Sequence, residues 1–168
     1  KAKRAEEKQR QSEEKFQDLF EKANDGLVFF DTTGTVLDLN QKAAEIAGKS
    51  KENIIGKNFI NLGLVSSENI PALTERLESR KMGKPLDRVE VEIKKKNGEK
   101  RTIEISSQLI KTDHDPKGFL AIARDVTERR KTEEALKESE ERFRNLFEKA
   151  HDGLVLIGFD GRIIDMNE

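Results

Sequence analysis

The sequence predicts an α+β fold: a five-stranded antiparallel sheet, short helices on one of its faces, and long charged helices flanking the domain. Three observations predict it. Between Asp25 and Val126 apolar residues alternate in short runs separated by hairpin signals. From Lys1 to Asp25, and again from Val126 to Asp152, there is no Gly or Pro, and Glu, Lys, Arg and Gln dominate. Finally, FEKANDGLVF, Phe20 to Phe29, returns as FEKAHDGLVL, Phe147 to Leu156.

In chain order, the opening segment is built of residues that favour helix at nearly every position. LVFFD and TVLDLN then read as strands, and Thr32-Thr33-Gly34 between them suits a tight hairpin. QKAAEIAGK is a short helix with Leu39, Ala43, Ile46 and Ala47 on one side and Gly48 near its end. Ser50 suits the cap of another turn leading into NIIGKNF. IPALTERLESRK is a helix with Pro71 in its first turn and Leu73 and Leu77 one turn apart. RVEVEIK alternates, with Val89, Val91 and Ile93 facing one way. Asn97-Gly98 is a hairpin signal, RTIEISSQLI returns with Ile103, Ile105, Ser107 and Leu109 on one face, TDHDPKG turns, and FLAIARDV is the last strand. Strands joined by hairpins are antiparallel neighbours, which gives the α+β layout.

Composition removes several function classes. The 168 residues suit one ordinary domain with additional material, or two very small ones. Charged residues make up 39% and hydrophobic ones 34%, lean for a compact core. Lysine plus arginine (32) nearly cancels aspartate plus glutamate (33), so no global field draws the chain to nucleic acid or anionic membrane. Cysteine is absent, which excludes disulfides, thiolate metal sites and cysteine nucleophiles. No apolar run approaches the roughly 20 residues that span a bilayer, and no secretory leader is visible. The segment is therefore expected to be soluble and cytoplasmic, with any membrane anchor elsewhere in a longer parent.

Sliding the chain so that Phe20 meets Phe147 also pairs Ser12 with Ser139, Asp25-Gly26 with Asp152-Gly153, Gly34 with Gly161, and Asn40 with Asn167. About half the positions from Ser12 to Gln41 are identical to their partners. Solenoid periods are about 20 to 50 residues, so so long a spacing implies copies of a whole domain. The expected organisation is a linker helix over residues 1–15, a complete domain over 16–127, a signalling helix over 128–142, and the start of a second domain over 143–168. In the second helical segment Leu136 and Phe143 lie one heptad apart, and Leu146 and Phe147 continue the stripe. So narrow a seam suits a two-stranded coiled coil and hence a homodimer, or else a lone solvated helix held by charge pairs. In the first segment Gln9 takes the place of Leu136, which weakens that seam.

The unit resembles a PAS domain. The resemblance rests on FxxLFEKANDGLVFFDTTGTVLDLN, the helix Gln41 to Gly48, IIGKNF, the NGEKR hairpin, the GFLAIARDVTERR exit and the charged helix after it. It covers about Phe16 to Thr127, with a second copy opening at Phe143. PAS domains are sensory and dimerising modules, often placed in series before a histidine kinase or another signalling output. The resemblance thus implies a non-enzymatic segment of a multi-domain, two-component sensor, flanked by further PAS and output domains.

No cofactor is assigned. A flavin adduct needs a cysteine, and haem needs an axial ligand, most often histidine. The only histidines, His114 in a turn and His151 at a helix end, are poorly placed for a pocket wall, which speaks against haem and leaves Met82 and Met166 as formal alternatives. Trp and Tyr are absent as flavin-stacking walls. Asp113-His114-Asp115 reads as a polar turn rather than a metal site, because adjacent turn residues rarely converge on one ion. KKKNGEKR reads as a solvated hairpin tip; it lacks the aromatic interleaving and reading helix of a nucleic-acid patch. Asp31 and Asp38 flank a hairpin with neither nucleophile nor oxyanion hole beside them.

What remains is a site defined by shape. Alternation places Val28 and Phe30 opposite Phe29, facing Leu39, Ala43 and Ala47. The alanines remove volume, so either the helix closes onto the sheet or a small apolar cavity remains. Close packing favours closure. Pocket candidates are Val28, Phe30, Leu39, Ala43, Ala47, Phe59, Leu77, Ile93, Ile105 and Ile122; Ile55 and Leu73 are expected in the core. A ligand for such a pocket is a small, largely apolar or weakly anionic metabolite.

Asp125-Val126-Thr127 stands where PAS families carry an Asp-Ile-Thr exit motif. Asp125 with Glu128 also fits a capping box. The expected function is a sensory module that relays a ligand- or packing-dependent change through these residues into its C-terminal helix. The alternative is a non-sensing spacer and dimeriser with a filled core, in which Asp125 and Thr127 merely start a helix.

Overall fold

The computed structural model describes residues 2–95, 97–112, 115–150 and 152–167. The chain divides after Thr127 into two compact units.

The first unit opens with helix α1, Ala2–Glu21, and continues through β1 (Gly26–Phe30), β2 (Val36–Leu39) and α2 (Gln41–Ala47). Two 3₁₀ turns, Lys51–Asn53 and Phe59–Leu62, lead to α3 (Ile70–Lys81), then β3 (Val89–Lys94), β4 (Lys100–Thr112) and β5 (Asp115–Asp125). The five strands form one sheet in the order β2-β1-β5-β4-β3, every neighbouring pair antiparallel. This is the α+β architecture expected from the hairpin pattern. Helix α1 runs without interruption past residue 16, so the expected linker and domain share one rod.

One buried residue, Asn40, organises the first half. Its Nδ2 donates to the carbonyls of Phe20 and Asp25, both at 3.0 Å, and its Oδ1 accepts from Leu27 N and Ala43 N, both at 2.9 Å. The side chain therefore uses two donors and two acceptor positions at once, which fixes the amide's orientation. It caps α2 and holds the C-terminal end of α1, the Asp25-Gly26 corner and β1 in the same grip. Phe20, also buried, stacks on Phe29 of β1 with centroids 5.6 Å apart, seating α1 on the outer sheet face. Gly26 is needed at this corner: a Cβ there would lie 3.0 Å from the Ala43 Cα.

The inner face carries two connected cores. Val36, Leu39, Ala43, Ala47, Ile54 and Leu62 form one; Ile46, Val91, Ile93 and Ile103 form the other. Val36 and Leu39 share a face because β2 is bulged where Phe29 pairs Asp38 and Phe30 pairs Val36, which leaves Leu37 unpaired and exposed. The expected core assignment of Ile55 is corrected. Ile55 is exposed and its neighbour Ile54 is buried, because the Lys51–Asn53 turn rotates Ile54 inward.

The second unit holds the rest of helix α4 (Thr127–Glu148) and the hairpin β6 (Val155–Ile157) and β7 (Ile163–Met166). Here Asn167 repeats part of the Asn40 pattern: its Nδ2 donates to Asp152 O at 3.1 Å and its Oδ1 accepts from Leu154 N at 2.6 Å. Leu136, Phe143 and Leu146 of α4 are exposed. Phe147, expected on the same exposed stripe, is instead buried, its ring stacked on that of Phe143 with centroids 5.6 Å apart; in the sequence it is the counterpart of Phe20.

Asn40→Ala removes four hydrogen bonds and strands their backbone partners, so a stability loss of more than about 2 kcal/mol is expected in urea unfolding. A loss of about 1 kcal/mol or less, the usual cost of an N-cap, would mean that Asn40 only starts α2.

Arg124 of β5 grips Asp25 with Nε at 3.1 Å and Nη2 at 2.7 Å, and these bonds hold the Asp25 carboxyl below the ordinary carboxylate range. A depressed folded pKa contributes stability above the unfolded pKa of about 3.9 and loses it as pH falls through the folded value. Asp25→Asn is accordingly expected to unfold more easily than the unsubstituted chain at neutral pH, and the gap to close in acid. A gap independent of pH would remove the electrostatic role of this pair.

Candidate functional site

Between the inner sheet face and α2, α3 and the 3₁₀ turns lies a cavity of about 220 Å³. The expected closure of the helix on the sheet does not occur. The expected pocket residues Val28, Phe30, Leu39, Ala43, Ala47, Phe59, Leu77, Ile93 and Ile105 all border it. Ile122 does not, and this is a correction. Phe119, Ala121 and Ala123 are the inward residues of β5, so Ile122 points to the outer face, in register with Leu27 and Ser106. The apolar character of Ile122 suggested an inward position; strict alternation from Phe119 is the signal that places the two alanines there instead. Those alanines, like Ala43 and Ala47 of α2, border the cavity, and small side chains on both elements leave the space open.

The floor is shaped by Phe30 and Phe59, whose rings meet edge to face at 6.3 Å. Gly34 also borders the cavity with φ at 87°, and a Cβ there would sit 2.9 Å from the Phe59 ring. Residues 56 and 57 run beside β2, with Val36 N bonded to Lys57 O and Gly56 N to Val36 O. Besides Arg76, Arg80 and Ser107, the side chains that border the cavity are apolar. Sequence reasoning missed both arginines, because a lysine- and arginine-rich helix reads as solvated until its neighbours are known.

The strand exit forms a second constellation within the first unit. Asp125 Oδ1 accepts from Thr127 N at 3.0 Å and Thr127 Oγ1 at 2.6 Å, and Oδ2 accepts from Arg101 Nη1 at 2.6 Å. Thr127 Oγ1 accepts in turn from Thr102 N at 3.0 Å, and Val126 N donates to Thr102 O at 3.0 Å. Val126 is buried. Burial works to raise the Asp125 pKa, but the Thr127 and Arg101 bonds outweigh it and hold the carboxyl below its ordinary range. The capping box expected with Glu128 is not the local pattern: Asp125 bonds two residues on, and Glu128 pairs with Lys131 at 2.9 Å.

His114, Asp113 and His151 lie outside the described residues. Met82 and Met166 are exposed, and neither borders the cavity. No helix among the described residues is long and apolar enough to cross a membrane.

Comparison with known proteins agrees with this geometry. The chain is 34% identical over 163 residues to Sporulation kinase E of Bacillus subtilis, an alignment that takes in 94% of this chain and 20% of the relative. The chain thus spans about a fifth of the length of the curated relative it matches. Among solved structures, a domain of a sensory box sensor histidine kinase/response regulator from Geobacter sulfurreducens is 28% identical with a TM-score of 0.56, covering 68% of this chain and 94% of that one. The PAS domain of a protein from Colwellia psychrerythraea is 25% identical with a TM-score of 0.61, covering 68% of this chain and 97% of that one. The PAS domain family matches residues 24–128 and again residues 141–168. With its five-stranded sheet, its apolar chamber and these matches, the chain belongs to the PAS domain family.

Proposed function

We propose that the first unit is a sensory PAS module of a larger signalling protein, and that its ligand occupies the apolar cavity. The cavity itself carries the reading. An apolar space of about 220 Å³ among core side chains leaves its walls without the packing partners that a filled interior supplies. An occupant restores much of that packing, so binding and folding are strongly linked. The alternative spacer role requires a filled core, and the space beside Ala43, Ala47, Ala121 and Ala123 does not favour it.

In this reading the signal leaves through β5. Inward Ala121 and Ala123 touch the cavity, and the same strand ends at Asp125, whose bonds to Thr127 and Arg101 set the start of α4. A change in strand position alters that junction and biases the helix beyond it, a two-state element. The exposed Leu136, Phe143 and Leu146 of α4 offer an apolar seam for a second copy, which supports a homodimer. The relation to Sporulation kinase E, with the likeness to a domain of a sensory box sensor histidine kinase/response regulator, supports a histidine kinase as the parent; in this reading the segment is a non-catalytic cytoplasmic part between neighbouring domains. The match at residues 141–168 supports a second PAS domain following the first.

The reading is tested with native mass spectrometry and thermal unfolding of the whole chain, against neutral and anionic compounds of on the order of six to nine apolar heavy atoms. A compound that raises Tm, and loses that effect in the cavity-filling variant Ala47→Phe, is the expected result. No bound mass and no shift across the panel would favour the spacer.

Asp125→Ala is expected to speed hydrogen exchange of the Thr102 and Thr127 amides by about tenfold, the equivalent of one lost charge-assisted bond. Unchanged exchange there would sever the proposed route from β5 to α4.

A further inference from the structure

The cavity has one chemically distinct end. Arg76 and Arg80 both border it, one turn apart on α3. Neither guanidinium enters an ion pair among the described residues, and no Asp or Glu borders the cavity among them. Arg76 Nη2 donates to the carbonyl of Asp87, and Arg80 donates from Nη1 to Lys84 O and from Nη2 to Leu86 O, each at 3.3 Å. The Arg80 Nε–H is buried with no acceptor. A buried donor on a cation without a partner is costly, and a carboxylate oxygen satisfies it best.

We infer that the ligand is an amphipathic monocarboxylate, its apolar body in the chamber and its carboxylate held at the α3 end by Arg80, with Arg76 adding a second positive charge. The inference rests on the cavity being the ligand site. It sets the size as well: a roughly 150 Å³ apolar cavity accommodates benzene, so about 220 Å³ suits a body of on the order of six to nine heavy atoms. A medium-chain fatty acid or an aryl-alkyl acid meets both conditions, with Ala43, Ala47, Ala121 and Ala123 leaving room for the tail. Two cations among carbonyl dipoles exclude a ligand whose buried end is itself cationic.

Octanoate and 1-octanol distinguish the possibilities, because they share a chain and differ in charge. In an apolar cavity without a cation octanol binds better, since burying an unpaired carboxylate is costly. With the arginine anchor, calorimetry on the whole chain should show octanoate tighter by about tenfold or more. Arg80→Gln should erase that preference, and Arg76→Gln should reduce it in part. Octanol equal to or tighter than octanoate on the unsubstituted chain would overturn the carboxylate assignment while leaving the cavity as a ligand site. Binding of neither would overturn both. The comparison on the unsubstituted chain decides the matter even if Arg80→Gln fails to fold.

Discussion

Four hydrogen bonds to one buried side-chain amide hold the first half of this domain together. Asn40 stands where α1, the Asp25-Gly26 corner, β1 and α2 meet, and each would otherwise leave a backbone group unpaired away from water. No apolar residue replaces such a clamp, and a carboxylate lacks the donors. Because Asn40 fixes α2 against β1, it also fixes one wall of the cavity, so a polar contact sets the dimensions of an apolar space. The recurrence of two of these bonds at Asn167 shows the same local solution reached from the same residues.

The two sheet faces do different work. The outer face takes Phe20 and anchors α1 through stacked rings. On the inner face, the central strand β5 contributes Phe119 and then two alanines to the cavity lining, and α2 contributes two more alanines. Large side chains facing this space would take up its volume, at the cost of strain wherever the walls already touch, as Ala43 does at Gly26. The small size of the alanines forgoes packing and leaves a chamber, and this exchange is the physical basis for reading the domain as a sensor. The arginines of α3 add a charged end to a space that is otherwise apolar.

Strand β5 is the element both constellations share. It lies between β1 and β4, its middle borders the cavity, and its last residue carries the carboxylate that ties Thr127 and Arg101 together. The proposed signal route depends on this charged network, which ties the end of a central strand to the first residue of α4. Within the first unit, these bonds also reach Thr102 of β4.

Alternation, hairpin signals and the internal recurrence were enough to specify the elements, the antiparallel layout and the domain that repeats, because period and turn chemistry are local properties of the chain. Ala43, Ala47, Val28 and Phe30 were legible as site residues for the same reason. The cavity's existence was not legible, since closure and void differ only in how distant alanines face each other. Hydrophobicity does not place Ile122 and Ile55, because strand phase and turn rotation decide their faces, and Val36 with Leu39 share a face only through a bulge. Arg76 and Arg80 became site residues only once α3 had packed over the sheet. The sequence by itself determined which segments are strands and helices; the tertiary structure alone decided where volume is missing and which charges border it, because both depend on contacts between residues far apart in the chain.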